Sequence, residues 1–155
     1  MRDYSKVSPL IWRDKRFNSL ASSDAKLAML YFATSEHQNS AGCYRLPDGY
    51  AAADLGWDVD RYQAARGAVV SSGLILFDEA TSELFLVDWF ESNPITNGKH
   101  AKGTQSLIVR IDSDTIREAA EDAFLASRER FEAGKEEQSS NLTRLTDTRF
   151  MNGRR

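Results

Sequence analysis

Three observations predict an α+β, mainly helical fold. Two helix patterns meet at a glycine: Pro47 with Asp48 opens a short helix over Gly49 to Leu55, Gly56 breaks it, and Asp58 caps a second from Val59 to about Ser72. Gly73 stops that helix, and Leu74 to Phe77 and Leu84 to Trp89, joined by the acidic turn Asp78 to Ser82, read as the strands of a hairpin. Beyond residue 112, apolar side chains recur at helical spacing as far as Phe131. Two helices crossing at a glycine turn, with a hairpin directly behind them, make the winged variant of the helix-turn-helix. The expected architecture is therefore a winged helix-turn-helix domain with an N-terminal lid (1–103), a strand and amphipathic helix for docking or dimerisation (104–134), and a linker with a basic tail (135–155).

Composition bounds the function. A chain of 155 residues, 41% hydrophobic, holds one core and an appendage and excludes a large multidomain enzyme. It has no apolar run long enough to span a bilayer, and Met1-Arg2-Asp3-Tyr4-Ser5-Lys6 lacks the apolar stretch of a signal peptide, so a cytoplasmic location is expected. The single cysteine, Cys43, fits a reducing compartment. A net charge of −3 opposes the simplest nucleic-acid picture, but the charges are unevenly placed. Arg2, Lys6, Arg13, Lys15 and Arg16 outnumber Asp3 and Asp14 at the start, and Arg144, Arg149, Arg154 and Arg155 outnumber Asp147 at the end.

In chain order, Trp12 and Phe17 read as a lid packed on the core. Ser23 or Asp24 caps a helix to about Glu36 or His37 that is apolar almost all round and belongs at the centre of the domain. His37 reads as a surface histidine near that helix's C-terminus. Ala41 to Leu46 reads as a lone strand that joins the hairpin in a three-stranded sheet, with Cys43 serving there as a small hydrophobe.

The helix from Val59 would be the recognition helix. Turned at about 100° per residue, it puts Tyr62, Ala65, Val69 and the edge residue Arg66 inward. Asp60, Ala64, Gly67 and Ser71 face outward, flanked by Arg61, Ala68 and Gln63. Such a face lets a helix backbone approach a groove wall, with Arg61, Gln63 and Arg66 nearest the bases. Equally, Ala64, Gly67, Ala68 and Ser71 form a smooth strip for a partner protein's helix. Asp78, Glu79 and Glu83 make the hairpin tip acidic, so it should not lie along a phosphate backbone.

After Trp89-Phe90, residues 91–103 have the composition of an irregular connection, in which Lys99, His100 and Lys102 form a basic cluster able to hold phosphate or simply to face solvent. Leu107 to Ile111 reads as a short strand or extended link. Asp112, Ser113 or Asp114 then caps a helix to about Ala133, with Gly134 as its stop. Its apolar stripe, Ile116, Ala120, Ala123, Phe124, Ser127 and Phe131, either docks on the domain or pairs with a second copy, which makes Ile116, Phe124 and Phe131 candidate partner contacts. Residues from Lys135 onward read as a linker and a basic tail whose Leu142, Leu145, Phe150 and Met151 would order on a partner.

No zinc spacing, phosphate-cradling glycine loop or histidine beside a nucleophile is present in the sequence, so catalysis, metal and cofactor are not expected. Asp48, Asp54, Asp58 and Asp60 are better explained as helix caps and solvated faces.

The opening Arg2-Asp3-Tyr4, with Lys6-Val7-Ser8-Pro9 and Trp12, resembles the start of phage and prophage replication proteins. Gly42-Cys43-Tyr44-Arg45-Leu46-Pro47 resembles the link after the first long helix in winged-helix domains of phage replication initiators and DnaD-like primosomal proteins. Gly73-Leu74-Ile75, Phe77-Asp78, Trp89-Phe90 and Asn93-Pro94 are similar to that family's hairpin and exit segment. The resemblance, over about residues 1–103, implies a winged domain in the bacterial host cytoplasm that binds origin DNA or self-associates during primosome assembly. The expected partner is double-stranded DNA, contacted through Arg2, Lys6, Arg13, Lys15, Arg16, Lys99, His100, Lys102 and the tail arginines, with a homodimer expected and no membrane or small-molecule substrate. The acidic hairpin tip and charge-poor helix face support an alternative on the same fold: an adaptor or phage inhibitor, anti-CRISPR-like, that binds a host or phage protein.

Overall fold

The computed structural model describes residues 4–151, with side chains as far as residue 138. A 3-10 turn (Pro9–Arg13) leads into α1 (Lys15–Asn18) and α2 (Ser23–Thr34), followed by β1 (Cys43–Arg45), α3 (Asp48–Leu55) and α4 (Val59–Ser71). The hairpin β2 (Ile75–Asp78) and β3 (Glu83–Leu86) comes next, then α5 (Trp89–Ser92), α6 (Gly98–Ile108) and α7 (Asp114–Met151). The strands form one antiparallel sheet in the order β1-β3-β2, with Leu84 opposite Tyr44 on one side and Phe77 on the other. The fold is α+β and mainly helical, as expected.

The central elements form for local reasons. Gly56 ends α3 in the left-handed conformation, at φ 66°, and the Asp58 carboxylate accepts the Arg61 backbone N–H at 2.8 Å to start α4. Tyr62, Ala65 and Val69 bury the inner side of α4 against α2, where the Phe32 and Tyr62 rings meet edge to face at 6.3 Å. Gly42 is required by its neighbour as well as by its φ of 69°. A Cβ there would lie 2.2 Å from Cγ of Trp89, whose indole N–H donates to the Ser40 carbonyl at 2.9 Å.

Several sequence expectations are corrected. The cap of α2 is Ser22, whose hydroxyl accepts the Ala25 N–H at 3.0 Å; Asp24 instead holds Arg61. Phe17 is buried, whereas Trp12 is 59% exposed, its ring meeting that of Phe17 at right angles, so Trp12 is not packed into the core as a lid. The second hairpin strand stops at Leu86, because Trp89 and Phe90 turn into the core on α5. Residues 98–108 are helical rather than irregular or extended. The Asn97 side chain accepts the His100 N–H at 2.8 Å, a cap strong enough to start a helix despite Gly98 and Gly103. The expected boundary at residue 103 therefore falls inside α6.

Glu83 is not a solvated tip residue. It is 3% exposed, and its carboxylate accepts the backbone N–H groups of Asp112, at 3.1 Å, and Ser113, at 2.8 Å, at the start of α7. The Ser113 hydroxyl accepts the Ile116 N–H at 3.3 Å. From there Ile116, Ala120, Phe124 and Ser127 are buried against the rest of the chain, with the Phe90 and Phe124 rings 6.1 Å apart and the Ile95 N–H donating to Ser127 Oγ at 3.1 Å. Burying Ile116 and Phe124 contributes roughly 1.5–3 kcal/mol each, so the helix docks on its own domain. Gly134 does not end it. Strong helix formers follow in Lys135-Glu136-Glu137-Gln138, and one interior glycine costs only about 1 kcal/mol. The expected linker at 135 is thus helical backbone through Met151.

Candidate nucleic-acid interface

The arginines and glutamine assigned to the bases are tied to carboxylates. Arg61 forms a two-point pair with Asp24 on α2, Nε to Oδ2 at 2.7 Å and a terminal nitrogen to Oδ1 at 2.8 Å, and its guanidinium lies 4.4 Å from the Trp57 ring centre. That hydrogen bonding holds the Asp24 carboxyl below the usual range. Gln63 donates to Asp48 Oδ2 at 2.7 Å. Arg66 is buried, pairs with Asp48 at the start of α3 and with Glu79 in the hairpin turn at 2.6 Å, and stacks 3.9 Å over Phe77. It joins α3, α4 and the hairpin. Reading Arg66 as a base contact does not fit this burial; sequence spacing put it on the inward edge, but its two acidic partners lie 18 and 13 residues away.

What remains on the outer face of α4 is small. Ala64, Gly67, Ala68 and Ser71 are exposed, and a Cβ built on Gly67 meets nothing within 4 Å. No close neighbour within the described chain accounts for that glycine.

The cations elsewhere divide into two groups. Arg16 pairs with Asp14 at 2.7 Å and with Asp88, and donates to the Gly73 carbonyl at 3.3 Å, fastening the N-terminal segment to the hairpin. The hydrogen bond from Arg16 holds the Asp14 carboxyl below the usual carboxylate range. By contrast Lys6, Arg13, Lys15, Lys99 and Lys102 are exposed and form no ion pair with another described residue. Lys99 and Lys102 lie on the first turns of α6, and His100 beside them is half-buried with Nδ1 3.3 Å from Thr96 Oγ1. Arg2 and the tail arginines Arg154 and Arg155 lie outside the described residues, as do the side chains of Arg144 and Arg149.

The candidate partner contacts Ile116 and Phe124 are buried within the chain and serve the fold rather than a separate partner, and Phe131 is half-buried against the same core.

No protein-family model, curated protein or solved structure matches this chain.

Other chemistry-bearing groups have structural surroundings. Cys43 is fully buried in β1, and burial followed by the nearby Glu83 charge pushes its thiol up to about 12, which makes it a packing residue rather than a nucleophile. His37 lies 3.5 Å from Asp54, which also accepts the Tyr31 hydroxyl at 2.6 Å, and stacks on Tyr50. Among the described residues no group of three or more His, Cys, Asp or Glu is placed to hold a metal, and no helix is long and apolar enough to cross a membrane.

Proposed function

We propose that this chain is a non-catalytic duplex-DNA-binding protein built on a winged helix-turn-helix, of the replication-initiator or regulator type that its motifs resemble. The observation that carries the reading is the succession α3, Gly56, α4 and hairpin, with the outer face of α4 left uncovered by the rest of the described chain. Small side chains on that face permit close approach to a groove. The exposed cations of the N-terminal segment and α6 supply phosphate contacts without competition from internal carboxylates. The test is duplex binding by anisotropy across salt. About five phosphate contacts lower affinity roughly 10²- to 10³-fold between 50 and 200 mM salt, and replacing Lys99 and Lys102 by alanine makes that salt dependence shallower. Failure to bind any duplex at 50 mM salt overturns the proposal.

A second reading, a protein-binding adaptor or inhibitor, draws on a specific observation. With Arg61, Gln63 and Arg66 all held by carboxylates, the uncovered face of α4 offers a partner helix a smooth surface of low charge. Under that reading the bulkier but neutral Ala64→Gln weakens partner binding without altering what little DNA is bound.

A further inference from the structure

We propose that Trp12, with Arg13 and Lys15 beside it, is a stacking platform for single-stranded polynucleotide. The N-terminal segment holds three of the largest exposed apolar side chains, Tyr4 at 74%, Leu10 at 65% and Trp12 at 59% exposure. Trp12 is nevertheless fixed in place. Its ring is perpendicular to that of the buried Phe17, with the centres 5.3 Å apart at 87°, and its carbonyl accepts the Asn18 side-chain amide at 2.9 Å. Arg16 secures the segment to Asp88 and to the Gly73 carbonyl behind the hairpin.

Such a ring is held by one perpendicular aromatic contact while much of its surface stays in water. Arg13 and Lys15, which follow it in the chain, are exposed and without ionic partners among the described residues, and Lys26 on α2 lies over Phe17 with its ammonium 5.9 Å from the ring centre. An exposed aromatic ring with exposed, unpaired cations on the residues that follow it in the chain matches the chemistry of an unpaired base stacked on an aromatic ring while its phosphates meet Lys and Arg. In a duplex the base faces are covered by their neighbours, so a stacking platform takes single strands. Every base has a π-face, so the site tolerates any sequence, in DNA or RNA.

This shares Arg13 and Lys15 with the duplex reading but needs Trp12, which that reading does not use. The experiment measures binding of labelled dT20, rU20 and a 20-base-pair duplex to the full chain at 50 mM salt. The proteins compared are the unaltered chain, Trp12→Ala, Trp12→Phe and the Arg13→Ala/Lys15→Ala pair. The expected result is that Trp12→Ala weakens single-strand binding about tenfold, that Trp12→Phe stays within about threefold, and that duplex affinity changes little in either. Should Trp12→Ala unfold, quenching of tryptophan fluorescence by dT20 in a Trp57→Phe chain decides, because the remaining Trp89 is buried. No single-strand binding, equal binding by folded Trp12→Ala, or no quenching overturns the platform. Single-strand binding without duplex binding retains it and overturns the duplex reading.

Discussion

Helix α4 and the N-terminal segment are both rich in groups that bind nucleic acid, yet their groups are differently committed. On α4 the arginines and the glutamine are engaged by Asp24, Asp48 and Glu79, acids brought in from α2, α3 and the hairpin. Among the described cations of the N-terminal segment Arg16 is engaged, while Lys6, Arg13 and Lys15 remain available. The difference teaches that a cation's position on its own helix does not decide its availability. The carboxylates that the fold delivers to it do.

The largest effect that sharpens this comparison comes from Arg66. Removing a buried guanidinium between two carboxylates leaves the half-buried Asp48 without a counter-ion, with only the neutral Gln63 amide still donating to it, so Arg66→Ala lowers unfolding free energy by about 3 kcal/mol in urea titrations. A loss below 1 kcal/mol breaks the claim that Arg66 serves the fold. Next, Glu83→Ala leaves two backbone N–H groups at the start of α7 without their acceptor, at a cost of about 1–3 kcal/mol. Hydrogen exchange should show that loss concentrated in residues 112–116.

Acid should act in a narrower range. Asp14 and Asp24 titrate below the ordinary carboxylate value of 3.8 because Arg16 and Arg61 bond their ionised forms. A depressed folded pKa contributes stability that is complete above the unfolded value and lost as pH falls through the folded one. Melting temperature should therefore hold above about pH 5 and fall below about pH 4, less steeply in Asp14→Asn. The smallest effect belongs to Arg61→Ala. It breaks an exposed, solvent-screened pair, so the melting temperature changes little. If duplex affinity falls more in Arg61→Ala than in Arg13→Ala/Lys15→Ala, then the contrast between the engaged and available regions is wrong.

Much of the centre was legible in sequence. Pro47, Gly56, Asp58 and Gly73 act through local backbone geometry, so α3, α4 and the start of the hairpin were readable from them, and so was the inward set Tyr62, Ala65 and Val69. What was missed depends on distant partners. The inward placement of Glu83 is set by backbone N–H groups about thirty residues ahead, and a turn rich in acids gives no hint of it. Helix α6 has two glycines and a basic start, which outweighed the single capping asparagine in any reading by composition. The exposure of Trp12 was hidden because a large aromatic is ordinarily counted as core.

The carboxylate of Glu83 gives the hairpin and α7 a shared fate. Cutting the chain ahead of Asp112 and losing α7 would take both backbone donors from the Glu83 carboxylate and strip the cover from Phe90 at the same time. The portion ahead of α7 therefore should not be obtainable as a stable fragment by limited proteolysis, and its melting should be a single cooperative event together with the first turns of the C-terminal helix.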